Sequence, residues 1–136
     1  MTQGWQSVLD RHADLFAEVA AGASVALAPC TPPRANVKQV LDPQPMLLWL
    51  REAEGMKARE GEYRGLKTLG SDVLFLPEEG ALDAALAHAQ PMSELKRELR
   101  DGRMLVMVMR SRKELRERGW AEFFEALGLP FQGTCR

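Results

Sequence analysis

Residues 110–113, Arg-Ser-Arg-Lys, stand where an apolar run ends and a helical pattern begins. Two arginines around a serine at a helix N-terminus suit an anion. Arg110 and Arg112 could grip a phosphate bidentately, and the unpaired N–H groups of the first turn would face it. Ser111 also has a structural reading. With Glu114 it spells S-x-x-E, a capping box, in which the hydroxyl accepts from a helix N–H and the glutamate reaches back. That accounts for Ser111 without a ligand. The stretch has no glycine to let backbone approach a phosphate, so it is neither a P-loop nor a dinucleotide fingerprint.

A wider reading takes the cations together. Residues 110–118 hold Arg110, Arg112, Lys113, Arg116 and Arg118 against Glu114 and Glu117, a local net of +3. Arg97 and Arg100 stand just upstream. If Arg97, Arg100, Arg110, Arg112, Lys113 and Arg116 met on one face, they would form a nucleic-acid or anion-binding surface. The interleaved acids Glu94, Glu98 and Asp101 favour a solvated charged face instead, with Arg118 four residues from both Glu114 and Glu122.

Asp72, Glu78 and Glu79 bracket another apolar run. Paired carboxylates can hold a divalent cation or move a proton, but acids ahead of a helix also complement its dipole. His12, His88, Cys30 and Cys135 share no ligand spacing. No metal centre, cofactor or disulfide framework is expected from them. Cys30, beside Thr31 and two prolines, could be a nucleophile at a strand end; a buried structural cysteine is the simpler account. No Ser/His/Asp or Cys/His set has a recognisable local context, so the reading leans away from an enzyme.

The elements that must position these residues follow from periodicity. Trp5, Val8, Leu9, His12, Phe16 and Val19 give a helix over 5–21, stopped at Gly22. Residues 24–29 suit a buried strand. Residues 29–45 are proline-rich and predict a long loop with one helical turn at 36–41. Residues 46–60 read as a helix rather than a hairpin, although Gly55 and Gly61 weaken it. A strand over 72–77 follows, then short helices over 81–89 and through Leu95 and Leu99 to Gly102. The run Met104–Met109 is a third strand, and its unbroken apolar character implies burial on both faces. A helix over 112–127 comes last, and the tail from about 130 is expected to fray.

This order predicts a single α/β domain over 1–136, a small sandwich whose partly parallel or mixed sheet of three to five strands is packed by helices. If the three apolar strands run parallel, Thr31, Glu78, Glu79, Arg110 and Ser111 share one rim. Ligands of open α/β sheets bind at such a rim.

The bulk numbers set limits. With 136 residues, 46% hydrophobic, and a net charge of −1, the chain has no global basic surface. Its apolar runs reach about six residues, against roughly 20 for a membrane span. The N-terminal stretch lacks the pattern of a secretory signal, which makes a cytoplasmic location the expectation. The leading functional expectation is a non-enzymatic protein–protein interaction or accessory-subunit domain, with another protein or a second copy of itself as partner and no membrane. Trp49, Tyr63 and Trp120 are the expected interface aromatics. The alternatives are a nucleic-acid-binding accessory protein using the basic residues of 96–118, and a phosphate-ligand or nucleotide-binding enzyme at the sheet rim.

Overall fold

A computed structural model describes residues 2–28, 44–63 and 69–129. The helical turn expected at 36–41, most of the proline-rich loop, Cys30, Thr31, and the tail with Cys135 lie outside the described residues. The elements run α1 (Thr2–Arg11), a 3-10 turn (Ala13–Phe16), β1 (Ser24–Leu27), β2 (Gln44–Glu52), β3 (Gly55–Tyr63) and β4 (Val73–Pro77). Then come α2 (Ala81–Ala87), α3 (Pro91–Asp101), β5 (Met104–Val108), α4 (Arg112–Glu117) and α5 (Ala121–Ala126).

The chain is a small α/β domain with one mixed sheet in the order β3-β2-β1-β4-β5, packed by helices. Among the described residues, only β1 and β4 pair in parallel; the other three pairs are antiparallel. One sheet face carries the main core. Val25, Leu27, Leu47, Trp49, Val73, Phe75 and Met104 project there and meet helix residues such as Trp5, Leu95, Leu115 and Phe123. Phe123 is the hub, with ring centroids 5.2 Å from Phe16, 5.5 Å from Trp120, 6.2 Å from Phe75 and 6.3 Å from Trp49. Such aromatic pairs add about 0.5–1.5 kcal/mol each beyond their area burial.

The second face is a smaller cluster of Ala26, Ala28 and Leu74, ringed by partly buried Met46, Leu48, Tyr63, Leu69, Leu76, Met107 and Met109. Among the described residues, no helix contributes to it. This sets the period of each strand. On β2, Leu47 and Trp49 face the main core while Met46 and Leu48 face the second cluster.

That two-sided burial corrects the helix expected over 46–60. The segment is the β2–β3 hairpin, with Glu52 opposite Gly55 and Ala53–Glu54 as the two-residue loop. A strand with apolar groups on both faces loses its alternation and imitates a short helix. The two glycines that weakened the helix lie on the hairpin: Gly55 closes its turn at a φ of 140°, and Gly61 pairs with Met46.

The helix expected over 112–127 is two short helices with a break at Gly119. There φ is 88°, and a Cβ would lie 1.9 Å from the Glu18 carbonyl oxygen. The chain turns because residues 18–20 press against it, and the Ala20 N–H donates to the Arg118 carbonyl at 2.9 Å. The 5–21 helix is likewise shorter, since α1 ends at Arg11 and a 3-10 turn follows. Trp5, Val8, Leu9, Phe16 and Val19 are all buried, as their spacing implied. The strand at 104–108 is less buried than its unbroken apolar run implied: Met104 is buried, Val106, Met107 and Val108 are half-buried and Leu105 is exposed, on a strand with a neighbour on one side only.

Candidate functional site

The antiparallel β4–β5 pair redistributes the residues expected to share a rim. Pro77 pairs with Met104 and Val73 with Val108. Glu78 and Glu79 therefore follow β4 at one end of the sheet, while Arg110 and Ser111 follow β5 at the other. A shared ligand rim of Glu78, Glu79, Arg110 and Ser111 is ruled out by that strand direction.

Arg110 lies instead beside Asp72, a fully buried carboxylate at the entrance to β4. Asp72 Oδ1 accepts from Arg110 Nε at 3.0 Å. Its Oδ2 accepts from Arg118 Nε at 2.6 Å and from the Trp120 indole N–H at 2.8 Å. Its backbone is tied on both sides, donating to the Ser24 carbonyl at 2.9 Å and accepting from the Met109 N–H at 2.8 Å. Charge-assisted bonds from three donors satisfy this carboxylate within the fold. Arg118 thus departs from its expected side-chain pairing with Glu114 and Glu122.

Ser111 is the cap its sequence context implied. Its hydroxyl accepts from the Glu114 N–H at 3.1 Å, and Glu114 Oε1 accepts from the Ser111 N–H at 2.9 Å. Hydrogen bonding from the Ser111 backbone N–H, and then from its side chain, holds the Glu114 carboxyl below its ordinary value, with Arg110 and Arg118 adding a smaller pull. The helix they start has six residues, too short for a strong dipole at its N-terminus.

The other expected basic residues are dispersed. Arg97 reaches Glu94 at 3.5 Å, and Arg100 reaches Asp101 at 3.7 Å, both on α3. Arg112, Lys113 and Arg116 are exposed on α4. Trp49 and Trp120, expected at an interface, are fully buried in the main core. Each ring stacks inside this chain's own aromatic cluster, which takes both off the surface. Tyr63 is half-buried beside the second cluster.

Two features were not singled out from sequence. The first is a carboxylate pair on α3. Glu94 and Glu98 are buried, and the Oε1 of each lacks a hydrogen-bond partner. Arg97 at 3.5 Å, with Arg103 and His88 both at 3.8 Å, surrounds Glu94. Burial raises the Glu98 carboxyl above its ordinary value, Glu94 and Glu78 raise it further, and Arg103 opposes them. Among the described residues, no group of three or more His, Cys, Asp or Glu side chains could hold a metal ion. The i, i+4 spacing of two acids on an otherwise amphipathic helix was the available signal, hidden by their resemblance to surface charges.

The second is the outer side of β5. The Met109 N–H donates to Asp72 and the Glu78 N–H to the Arg103 carbonyl. Antiparallel bonding alternates by two, so residues 103, 105, 107 and 109 turn their backbone groups toward β4. Met104, Val106 and Val108 turn theirs outward, past the last strand of the sheet. Leu105, at 53% exposure, is the only exposed large hydrophobic residue among the described residues. Met107 and Met109 continue its face, half-buried. The opposite edge, β3, carries Lys57, Arg59, Glu60 and Glu62, and Arg59 is paired with Glu52. Charges blunt an edge against pairing, and β5 has none within it.

No protein-family model matches this chain, and no curated protein matches it. A solved structure similar to it is the solution structure of a conserved hypothetical protein from Thermus thermophilus, described as possibly a sterol carrier protein. The identity is 14% and the TM-score 0.45, over 93% of this chain and 78% of that one. A likeness of that size carries nothing about function. Among the described residues, no helix is long and apolar enough to cross a membrane.

Proposed function

We propose that this is a non-enzymatic protein–protein interaction domain that receives an extended partner segment along β5. The observation that carries the reading is Leu105, 53% exposed on an uncharged edge strand. A strand added at this edge would find outward N–H and C=O groups at Met104, Val106 and Val108. Alternate side chains of that strand would cover Leu105 and Met107. This is β-augmentation, in which main-chain bonds give affinity and alternate side-chain contacts give selectivity. Methionine suits such a surface because its flexible thioether adapts to different partners.

The nucleic-acid reading has less support. Arg97, Arg100 and Arg110 each have an acidic neighbour within this chain. The rim-enzyme reading loses the strand direction it needed.

Selection of a random peptide library on the immobilised domain tests the proposal. Enriched peptides should alternate apolar with polar residues, perturb the amide resonances of Met104, Val106 and Val108, and lose binding to Leu105→Lys. No enrichment, or binding that maps away from β5, overturns it.

A further inference from the structure

We infer that the extended segment received at β5 is acidic: an apolar-alternating strand whose carboxylates fall at the Arg110–Lys113 end of the edge. This rests on the interaction reading above and names the chemistry of its partner. The two ends of β5 differ in charge. At the Met104 end, Arg103 lies between Glu94 and Asp101, at 3.8 Å from each, and Arg100 reaches Asp101 at 3.7 Å. Glu78 adjoins them, its N–H donating to the Arg103 carbonyl. Acids match the cations there. The Val108 end has no such balance. Arg110, Arg112 and Lys113 follow the strand closely and are exposed. The acids near them are engaged within the fold. Asp72 is buried beneath Arg110 and Arg118, and Glu114 turns back to the Ser111 N–H. Counting Asp72 against residues 110–118 leaves the local net positive, at +2.

The course of α4 keeps these cations at the edge. The helix starts just past the last strand of the sheet and runs inward. Arg118, beyond its far end, donates to Asp72 at the entrance to β4, and the Arg118 carbonyl accepts from Ala20, ahead of β1. Its first turn, with Arg112 and Lys113, therefore stands on the β5 side. A second copy of the chain does not suit such an edge. The antiparallel register that pairs all of Met104–Val108 brings Arg103 and Arg100 of one copy toward Arg110 and Arg112 of the other. Asp101 is occupied by its own Arg100 and Arg103. An acidic strand suits it throughout. Its main chain meets the outward groups of Met104, Val106 and Val108, and its alternate apolar side chains cover Leu105 and Met107. Its carboxylates meet the positive end. Charge complementarity of this kind speeds encounter and rejects segments that share only the apolar pattern.

The probes are short synthetic peptides of one alternating Val/Thr pattern, with terminal glutamates in one and lysines in their place in the other. Each is made with the charges at either end, because an antiparallel strand carries them before the apolar run and a parallel strand after it. The full chain is titrated and its amide resonances followed. In one of the two orientations the acidic peptide should bind more tightly than the basic one and perturb Met104, Val106 and Val108. Its affinity should fall as salt rises. Lys113→Glu, at an exposed side chain, should weaken the acidic peptide about fivefold and strengthen the basic one. Leu105→Gln should remove the binding of both. Equal binding of acidic and basic peptides at β5, or an affinity indifferent to salt and to Lys113→Glu, overturns the acidic partner and leaves the interaction reading standing. An acidic peptide held equally well by Leu105→Gln is a bare charge contact and overturns both, as does failure of every peptide to bind. Sedimentation at the same concentrations that shows a dimer excluding the peptide gives the edge to a second copy and overturns the acidic partner.

Discussion

Asp72 shows how one charge can be tolerated in a core. Its carboxylate is fully buried, yet Arg110, Arg118 and the Trp120 indole all donate to it. Both arginines stay partly hydrated, with side-chain exposures of 39% and 32%. Removing the acid strands the indole N–H and leaves two cations at the lip of the core. Asp72→Ala should therefore cost about 3–5 kcal/mol in urea unfolding. Arg110→Ala removes one of three donors and should cost about 1–2 kcal/mol. A smaller loss for Asp72 than for Arg110 would show that the carboxylate is not the centre of this network. Glu98 is the opposite case: its Oε1 is buried without a partner. Burial and the nearby Glu94 raise its carboxyl above the ordinary 4.5. The folded state then binds the Glu98 proton more tightly than the unfolded state. Its contribution to stability is complete below about pH 4.5 and is lost as pH rises through the elevated value. Glu98→Gln should be more stable than the parent at neutral pH, and the gap should close as pH falls below that window. Thermal unfolding across pH measures this, and a gap that widens toward acid would reverse the assignment.

At the scale of elements, Gly119 decides how the C-terminal region packs. Its positive φ separates α4 from α5, and the Glu18 carbonyl occupies the space a Cβ would need. Helix α5 can then seat Phe123 among Phe16, Phe75 and Trp120. Gly119→Ala adds a left-handed strain of about 1–2 kcal/mol, together with displacement of a backbone segment. A total loss above about 2 kcal/mol is expected in chemical denaturation, with the near-ultraviolet signal of Trp120 altered. The sequence showed glycine there but not the chain that crosses it, so an unbroken apolar periodicity read as one helix. The 46–60 segment misled for a related reason. Burial on both faces of β2 erased the alternation, and only Gly55 and Gly61 still marked the hairpin. The capping box at Ser111 and Glu114 was legible because its interactions are local. The Asp72 network was not, because its carboxylate and its three donors lie at least 38 residues apart in sequence.

Whole-molecule topology explains why the expected ligand rim dissolved and a different surface emerged. The direction of β5 is set by the connection through α2 and α3, and nothing in MLVMVM states it. Once antiparallel to β4, the strand sends Arg110 back to Asp72 and leaves its own outer side at the edge. Its hydrophobic residues then serve two purposes: Met104, Val106 and Val108 face the main core, while Leu105, Met107 and Met109 line the other face. The same alternation governs the main chain and has a measurable consequence. In the free chain, the N–H groups of Leu105 and Met107 should exchange slowly because they point toward β4. Those of Val106 and Val108 should exchange rapidly because they point outward. Strands β1 and β4, paired on both sides, should be protected throughout. A period-two pattern along β5 that flattens when a selected extended peptide is added would report the edge being taken up. Uniform protection of β5 in the free chain would mean that its outward amides are already satisfied within one chain.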